Sequence, residues 1–265
     1  MTKKAIGVFD SGLGGLTILN ALRRTLPHEN LIYFGDTANV PYGSKSKEAV
    51  TRLSLAIGRF LQEQNVKLIV VACNTASAQA LDELKKKLAV PVMGVIEPGA
   101  TKAVNVTKNG HIAVLGTEGT VNSKAYPKAL LKKLPNARII QQACPLFVPL
   151  VEENWTNKPA AELIAREYLL PIQQSKADTV ILGCTHYPVL KEVLARILGA
   201  QVNLVDSADT LAEAAQVFLR KHHLAQTSGK GRITVYASDA PQRFKRLAQI
   251  LLADKISTVH LKKLL

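Results

Sequence analysis

Short runs of β-branched and apolar residues alternate with longer stretches of helical periodicity along almost the whole chain. Residues 6–9, 31–34, 68–72, 92–96, 112–115, 138–141, 179–182, 202–205, 233–236 and 258–261 read as strands. The amphipathic stretches 47–64, 77–88, 159–172 and 211–221 read as helices between them. Strands that alternate with helices build parallel sheets covered on both faces. Ten strands are many for one open sheet in 265 residues, so two smaller domains are expected.

An internal match points the same way. GVFDSGLGGLTIL at 7–19 can be laid on AVLGTEGTVNSKAY at 113–126, which places Phe9 on Leu115 and Ser11 on Thr117, an offset of 106 residues. VKLIVVACNTASAQAL and ADTVILGCTHYPVL then align through Cys73 and Cys184, an offset of 111. Both copies run strand, small polar turn, helix, and later strand, Cys, helix, strand. The first copy needs more strands than residues 1–97 supply, and the segment after Ser207 carries two more. The expected architecture is α/β, with two pseudo-symmetric domains of mostly parallel sheet. The first is discontinuous, 1–97 plus 208–265, and the second is 98–207. The chain crosses near Pro98 and returns near Ser207, with the active site in the interdomain cleft.

A strand that ends in Cys puts its thiol at the carboxyl edge of the sheet, where open α/β sheets bind ligands. Cys73, followed by Asn74 and Thr75, and Cys184, followed by Thr185 and His186, both fit. Two such thiols on opposite sides of one cleft can remove a proton from one face of a carbon and return one to the other face. Cys144, in QQACPLFVPL, reads as core packing. A His two residues from a strand-end Cys can serve as acid or base, or bias the thiol toward thiolate. Glu152, with Glu153 as an equal candidate, follows an apolar run. Asp10 and Ser11 precede the turn Gly12-Leu13-Gly14-Gly15, whose amides suit an anion, while Asp10 serves equally as a helix cap. Pro41, Tyr42, Gly43 and Ser44 form a turn in which Ser44 is a candidate cap and the Tyr hydroxyl and free amides are candidate ligand contacts. Thr117 and Thr120 occupy the second copy of the Gly-rich turn, with the same two readings.

Composition narrows the function classes. Hydrophobic residues make up 47%, and no apolar run approaches a membrane span. The opening MTKKAIGVFDSG has no apolar stretch of secretory length, so the cytoplasm is expected. Three cysteines there argue against a disulfide framework. The net charge is +14, yet aromatics are only 5% and no nucleic-acid module is present, so nucleic acid is set aside as the main partner. A positive field suits capture of an anionic small molecule. With no C-x-x-C and no regular His spacing, no metal site is expected.

The ordered set IGVFDSGLGGLT, FGDTANVPYGSKS, VVACNTASA, GVIEPGA, LGTEGTV, ACPLFVPLVE, LGCTHYP and LVDSA resembles the cofactor-independent aspartate/glutamate racemase family. It covers most of the chain, leaving only the last fifty or so residues without a motif. The resemblance implies interconversion of L- and D-glutamate, supplying D-glutamate for peptidoglycan, without a cofactor. It makes Cys73 and Cys184 the two acid/base residues, assisted by Asp10 and His186, with Glu152 a further helper. It places substrate contacts at Asp10, Ser11, Pro41, Tyr42, Gly43, Ser44, Asn74, Thr75, Thr185 and His186. Thr117 and Thr120 join them as candidates from the repeated turn. A homodimer is common in the family. A related racemase acting on aspartate or another amino acid shares the two-Cys logic.

Overall fold

The computed structural model describes residues 4–252, 254 and 256–264. Residues 1–3, 253, 255 and 265, which fall in the expected first domain, lie outside the described residues. Strands buried on both faces of a parallel sheet read as continuous apolar runs, and the structure has a strand at each of the ten predicted places. They are β1 Ile6–Asp10, β2 Leu31–Gly35, β3 Leu68–Val71, β4 Val92–Gly94, β5 His111–Gly116, β6 Arg138–Ala143, β7 Thr179–Gly183, β8 Asn203–Asp206, β9 Ile233–Ala237 and β10 Val259–Leu261. All the pairings are parallel.

The six-stranded sheet runs β10-β9-β2-β1-β3-β4 and the four-stranded sheet β6-β5-β7-β8. Taken from its other edge, the second sheet is β8-β7-β5-β6, which repeats the order β4-β3-β1-β2 of the first. The register repeats too. Phe9 pairs with Val71 and Leu115 with Leu182, and Cys73 and Cys184 each lie two residues beyond those partners. The internal match is therefore structural, and both thiols emerge at the carboxyl edge of equivalent strands.

The two sheets share a core. One apolar cluster runs from Ile6, Val8 and Leu16 through Ala100 and Ala103 to Ile112, Val114 and Ile181. Helices Ile96–Val106 and Ser207–Lys221, which begin at the two expected crossings, pack on each other in that cluster. Each fully buried Leu, Ile or Val there contributes about 1.5–3 kcal/mol.

Three local expectations are corrected. Helix Lys47–Glu63 is capped by Ser46, whose hydroxyl accepts from Ala49 N at 3.2 Å, and not by Ser44. The helix expected over 77–88 is two, Asn74–Gln79 and Leu81–Lys87. The first starts early because Cys73 caps it, and it turns at Ala80 so that Leu84 is buried in the core while Thr75 and Gln79 stay on the seam between the halves. After Cys184 comes a single 3₁₀ turn, Tyr187–Leu190, before helix Lys191–Leu198. Pro188 in that turn has no amide to donate. The basic clusters at Lys85–Lys87, Lys132–Lys133 and Arg220–Lys221 fall in last helical turns, where cations suit the macrodipole.

Candidate active site

The carboxyl edges of the two sheets meet through polar contacts from opposite halves. Thr185 Oγ1 donates to Asp10 Oδ1 at 3.3 Å. Thr75 Oγ1 lies 2.9 Å from Thr117 Oγ1 and 3.4 Å from Thr120 Oγ1. Gly119 N donates to Gly43 O at 2.9 Å, and Gln79 Nε2 donates to Gly119 O at 3.2 Å. Both thiols lie along this seam, Cys73 5% and Cys184 7% exposed, and each is within electrostatic range of the other.

Their surroundings differ. Cys73 Sγ accepts from Ala76 N at 3.5 Å and donates toward Ser11 Oγ at 3.8 Å. Burial, and then the negative charge of Asp10, push its thiol up to about 12. Cys184 Sγ faces His186 Nδ1 at 3.8 Å, and His186 Nε2 faces Glu152 Oε1 at 3.1 Å. Burial alone would lower the imidazole, but its hydrogen bonds to Cys184 and Glu152 outweigh that and hold it up to about 10. His186 thus has a polar partner at each ring nitrogen, the Cys184 sulfur on one side and the Glu152 carboxylate on the other. Asp10, fully buried, is raised by burial, against the opposing pull of His186, the amides of Gly12 and Gly15, and Thr185.

Those amides revise the reading of the Gly-rich turn. Gly12 N already donates to Asp10 Oδ2 at 3.0 Å, so the turn grips its own carboxylate. Helix Leu16–Thr25 is preceded by Gly15 and has no side-chain cap, so Asp10 closes the turn without being the cap residue. The glycines also permit close approach. A Cβ on Gly14 would sit 2.6 Å from His186 Nδ1, and one on Gly43 would sit 2.7 Å from Thr117 Cβ.

The other candidates are placed as follows. Tyr42 is buried and its hydroxyl donates to Asp36 Oδ2 at 2.6 Å, while the carbonyls of Tyr42 and Gly43 accept from Lys45 N and Gly119 N. Thr117 caps helix Glu118–Ser123 by accepting from Thr120 N, so the capping role is real. Glu152 and Glu153 are separated by geometry, since Glu152 holds His186 while the exposed Glu153 meets Arg243 at 3.5 Å. Cys144 is fully buried in the second core cluster. Three contributors have no sequence signal. Tyr33 donates to Gly12 O at 2.8 Å, Asp36 also accepts from Ser238 at 2.7 Å, and Tyr126 donates to Asn74 Oδ1 at 2.8 Å. Among the described residues no group of three or more His, Cys, Asp or Glu is placed to hold a metal ion.

Two thiols therefore stand at equivalent strand ends, one near a buried carboxyl group and the other beside a buried imidazole. The sequence profile of the Asp/Glu/Hydantoin racemase family matches residues 15–215. The chain is 50% identical over 261 residues to a glutamate racemase from Geobacter metallireducens, covering 98% of this chain and 97% of that one. It superposes on a crystal structure of a glutamate racemase isoform from Bacillus anthracis with a TM-score of 0.96, at 35% identity and with 100% and 99% of the two chains covered. A Francisella tularensis glutamate racemase crystallised with D-glutamate matches with a TM-score of 0.93, at 36% identity and with the same coverage. The chain belongs to the Asp/Glu/Hydantoin racemase family and is an isomerase.

Proposed function

We propose that this enzyme interconverts L- and D-glutamate by two-base proton transfer between Cys73 and Cys184. The observation that carries the reading is the equivalent placement of the two thiols, with Asp10 serving one and His186 the other. The glutamate racemases from Geobacter metallireducens and Bacillus anthracis support the choice of substrate, as does the D-glutamate complex of the Francisella tularensis enzyme.

In the forward direction one sulfur, as thiolate, takes the α-proton of the substrate. The electron pair left on carbon spreads into the α-carboxylate. Donors on the carboxylate stabilise that charge most where they are preorganised and dry. Asn74 offers one, because its Nδ2 is buried and lacks a partner among the described residues. The hydroxyls of Ser11, Thr75 and Thr185 and the backbone of residues 41–44 complete the contacts, with Thr117 and Thr120 behind Thr75. The opposite thiol then delivers its proton to the other face of the carbon, and the enantiomer leaves. Cys73 acts as base toward D-glutamate and Cys184 toward L-glutamate, their roles reversing with direction. Glu152 holds His186, and His186 exchanges a proton with Cys184.

Both thiols are buried, so substrate access requires the halves to separate. We take residues 1–97 plus 208–265 and residues 98–207 as the units that move, with the site in the cleft they open. The reading carries with it a cytoplasmic homodimer that supplies D-glutamate for peptidoglycan without a cofactor. No helix among the described residues is long and apolar enough to cross a membrane.

Circular dichroism of D-glutamate over time, with chelator present and no cofactor added, tests the proposal. The signal should decay to zero at equal enantiomer amounts. A flat trace for glutamate beside turnover of aspartate would move the enzyme to the sister activity. Loss of turnover on chelation, restored by zinc, would refute cofactor independence. Sedimentation at working concentration tests the dimer, and a knockout that grows without added D-glutamate would refute the cell-wall role.

A further inference from the structure

Tyr126 lies on helix Ala125–Lys133 of the second half, fully buried and remote in sequence from either thiol. Its hydroxyl donates to Oδ1 of Asn74, the residue after Cys73, at 2.8 Å. Its ring packs against Gly183, the residue before Cys184, where an added Cβ would meet Tyr126 Cε2 at 3.1 Å. Gly99, in the first crossing helix, borders the same ring. Ser207 Oγ, at the second crossing, lies 3.4 Å from the hydroxyl. One side chain therefore touches the neighbours of both thiols and both chain crossings.

The hydrogen bond has a directional consequence. Burial raises the phenol, so it keeps its hydrogen and donates it. The acceptor on Asn74 must be the carbonyl oxygen, which fixes the amide and leaves Nδ2 as the free donor. That nitrogen is buried with no partner among the described residues, and an unmet buried donor is costly unless a ligand completes it.

We infer that Tyr126 is a positioning residue: by holding the Asn74 amide in one orientation, it keeps Nδ2 turned to the substrate carboxylate. The inference rests on the proposed amino-acid substrate and goes beyond it in assigning how the donor is aimed. Without the phenol hydroxyl the amide is free to turn, and its oxygen then meets the carboxylate as a second acceptor.

The test is a double-mutant cycle on Tyr126→Phe and Asn74→Ala, with kinetics on both glutamate enantiomers and thermal unfolding of each variant. Tyr126→Phe keeps the ring and should raise KM about five-fold in both directions, the effect of about one hydrogen bond, with kcat moving less. In the Asn74→Ala background the same change should add nothing to KM, because the phenol acts through the amide. Asn74→Asp keeps the acceptor for Tyr126 but lacks the N–H, and should lose binding as fully as Asn74→Ala. A lowered melting temperature with unchanged KM would mark a purely structural role and overturn the inference. So would an independent KM loss in the Asn74→Ala background, or near-normal binding by Asn74→Asp. Wild type that fails to turn over glutamate would refute the substrate reading instead. The same cycle measured as glutamate affinity by calorimetry keeps the two failures apart.

Discussion

Gly14→Ala is a one-methyl perturbation aimed at the Cys184 side of the site. Gly14 does not occupy the left-handed region, so an alanine there meets no backbone strain and the effect is steric. The new Cβ would lie 2.6 Å from His186 Nδ1 and 2.8 Å from His186 Cε1, with Thr185 Oγ1 closer still. Ordinary van der Waals contact begins at 3.4 Å, so the imidazole must retreat by about 0.8 Å. It has little room, since Nε2 is held by Glu152 and the ring is 3% exposed. Overpacking of this kind costs about 1–3 kcal/mol of stability. A displacement on the order of 1 Å at a reacting group costs on the order of 100-fold in rate. Racemisation should therefore fall about 10- to 100-fold, with a lower melting temperature. Because kcat/KM must be equal in the two directions at an equilibrium constant of one, racemisation alone does not reveal which side failed. Elimination from a glutamate analogue bearing a leaving group on the β-carbon does, since it needs one base. The L-configured analogue, for which Cys184 is the proposed base, should lose more than the D-configured one. Wild-type turnover and melting temperature, or equal loss from both analogues, would refute the reasoning.

Other expectations follow from the same geometry. Glu152→Gln keeps the shape beside His186 but removes the charge, so turnover should drop on the order of ten-fold and the alkaline limb of the pH profile should move to lower pH; Glu153→Gln should leave both at wild type. His186 binds its proton more tightly folded than unfolded, with an ordinary value of 6.5 raised to about 10. Its stabilising contribution is therefore complete below about 6.5 and lost as pH rises through about 10. The urea-unfolding gap between wild type and His186→Gln should narrow across that window, and a widening gap would contradict the assignment. In D₂O, product glutamate should carry deuterium at the α-carbon while substrate recovered early carries much less; equal early labelling would favour a single exchanging base.

The sheets were legible because buried parallel strands are continuous apolar runs, and both thiols were legible because their frames repeat. Partnerships across long stretches of chain were not. Ser46 replaces Ser44 as the cap because the helix starts two residues later than the turn suggests, and two serines separated only by Lys45 carry the same propensity. Glu152 and Glu153 are identical by composition and differ only in which way helix Phe147–Glu152 turns them, toward His186 or toward Arg243. The Gly-rich turn reads as an anion cradle, but its amides hold Asp10, from the same segment, and its bare backbone makes room for His186 from the other half. Tyr42 reads as a ligand contact, yet its hydroxyl goes to Asp36. A pattern reports which face is buried and is silent on what a buried polar group meets there.

The central claim is that two thiols act from opposite faces of one carbon, and half-reactions of single-thiol variants test it most directly. Serine is close in size to cysteine but a far poorer base, so Cys73→Ser and Cys184→Ser should each nearly abolish racemisation. Cys144→Ser should keep it within a few-fold, as that thiol only packs the core. Elimination from the two β-substituted glutamate analogues then separates the sides. Cys73→Ser should still eliminate from the L-configured analogue and fail on the D-configured one, and Cys184→Ser should show the reverse. If both variants treat the two analogues alike, the opposed-thiol account is wrong, even for an enzyme that racemises glutamate.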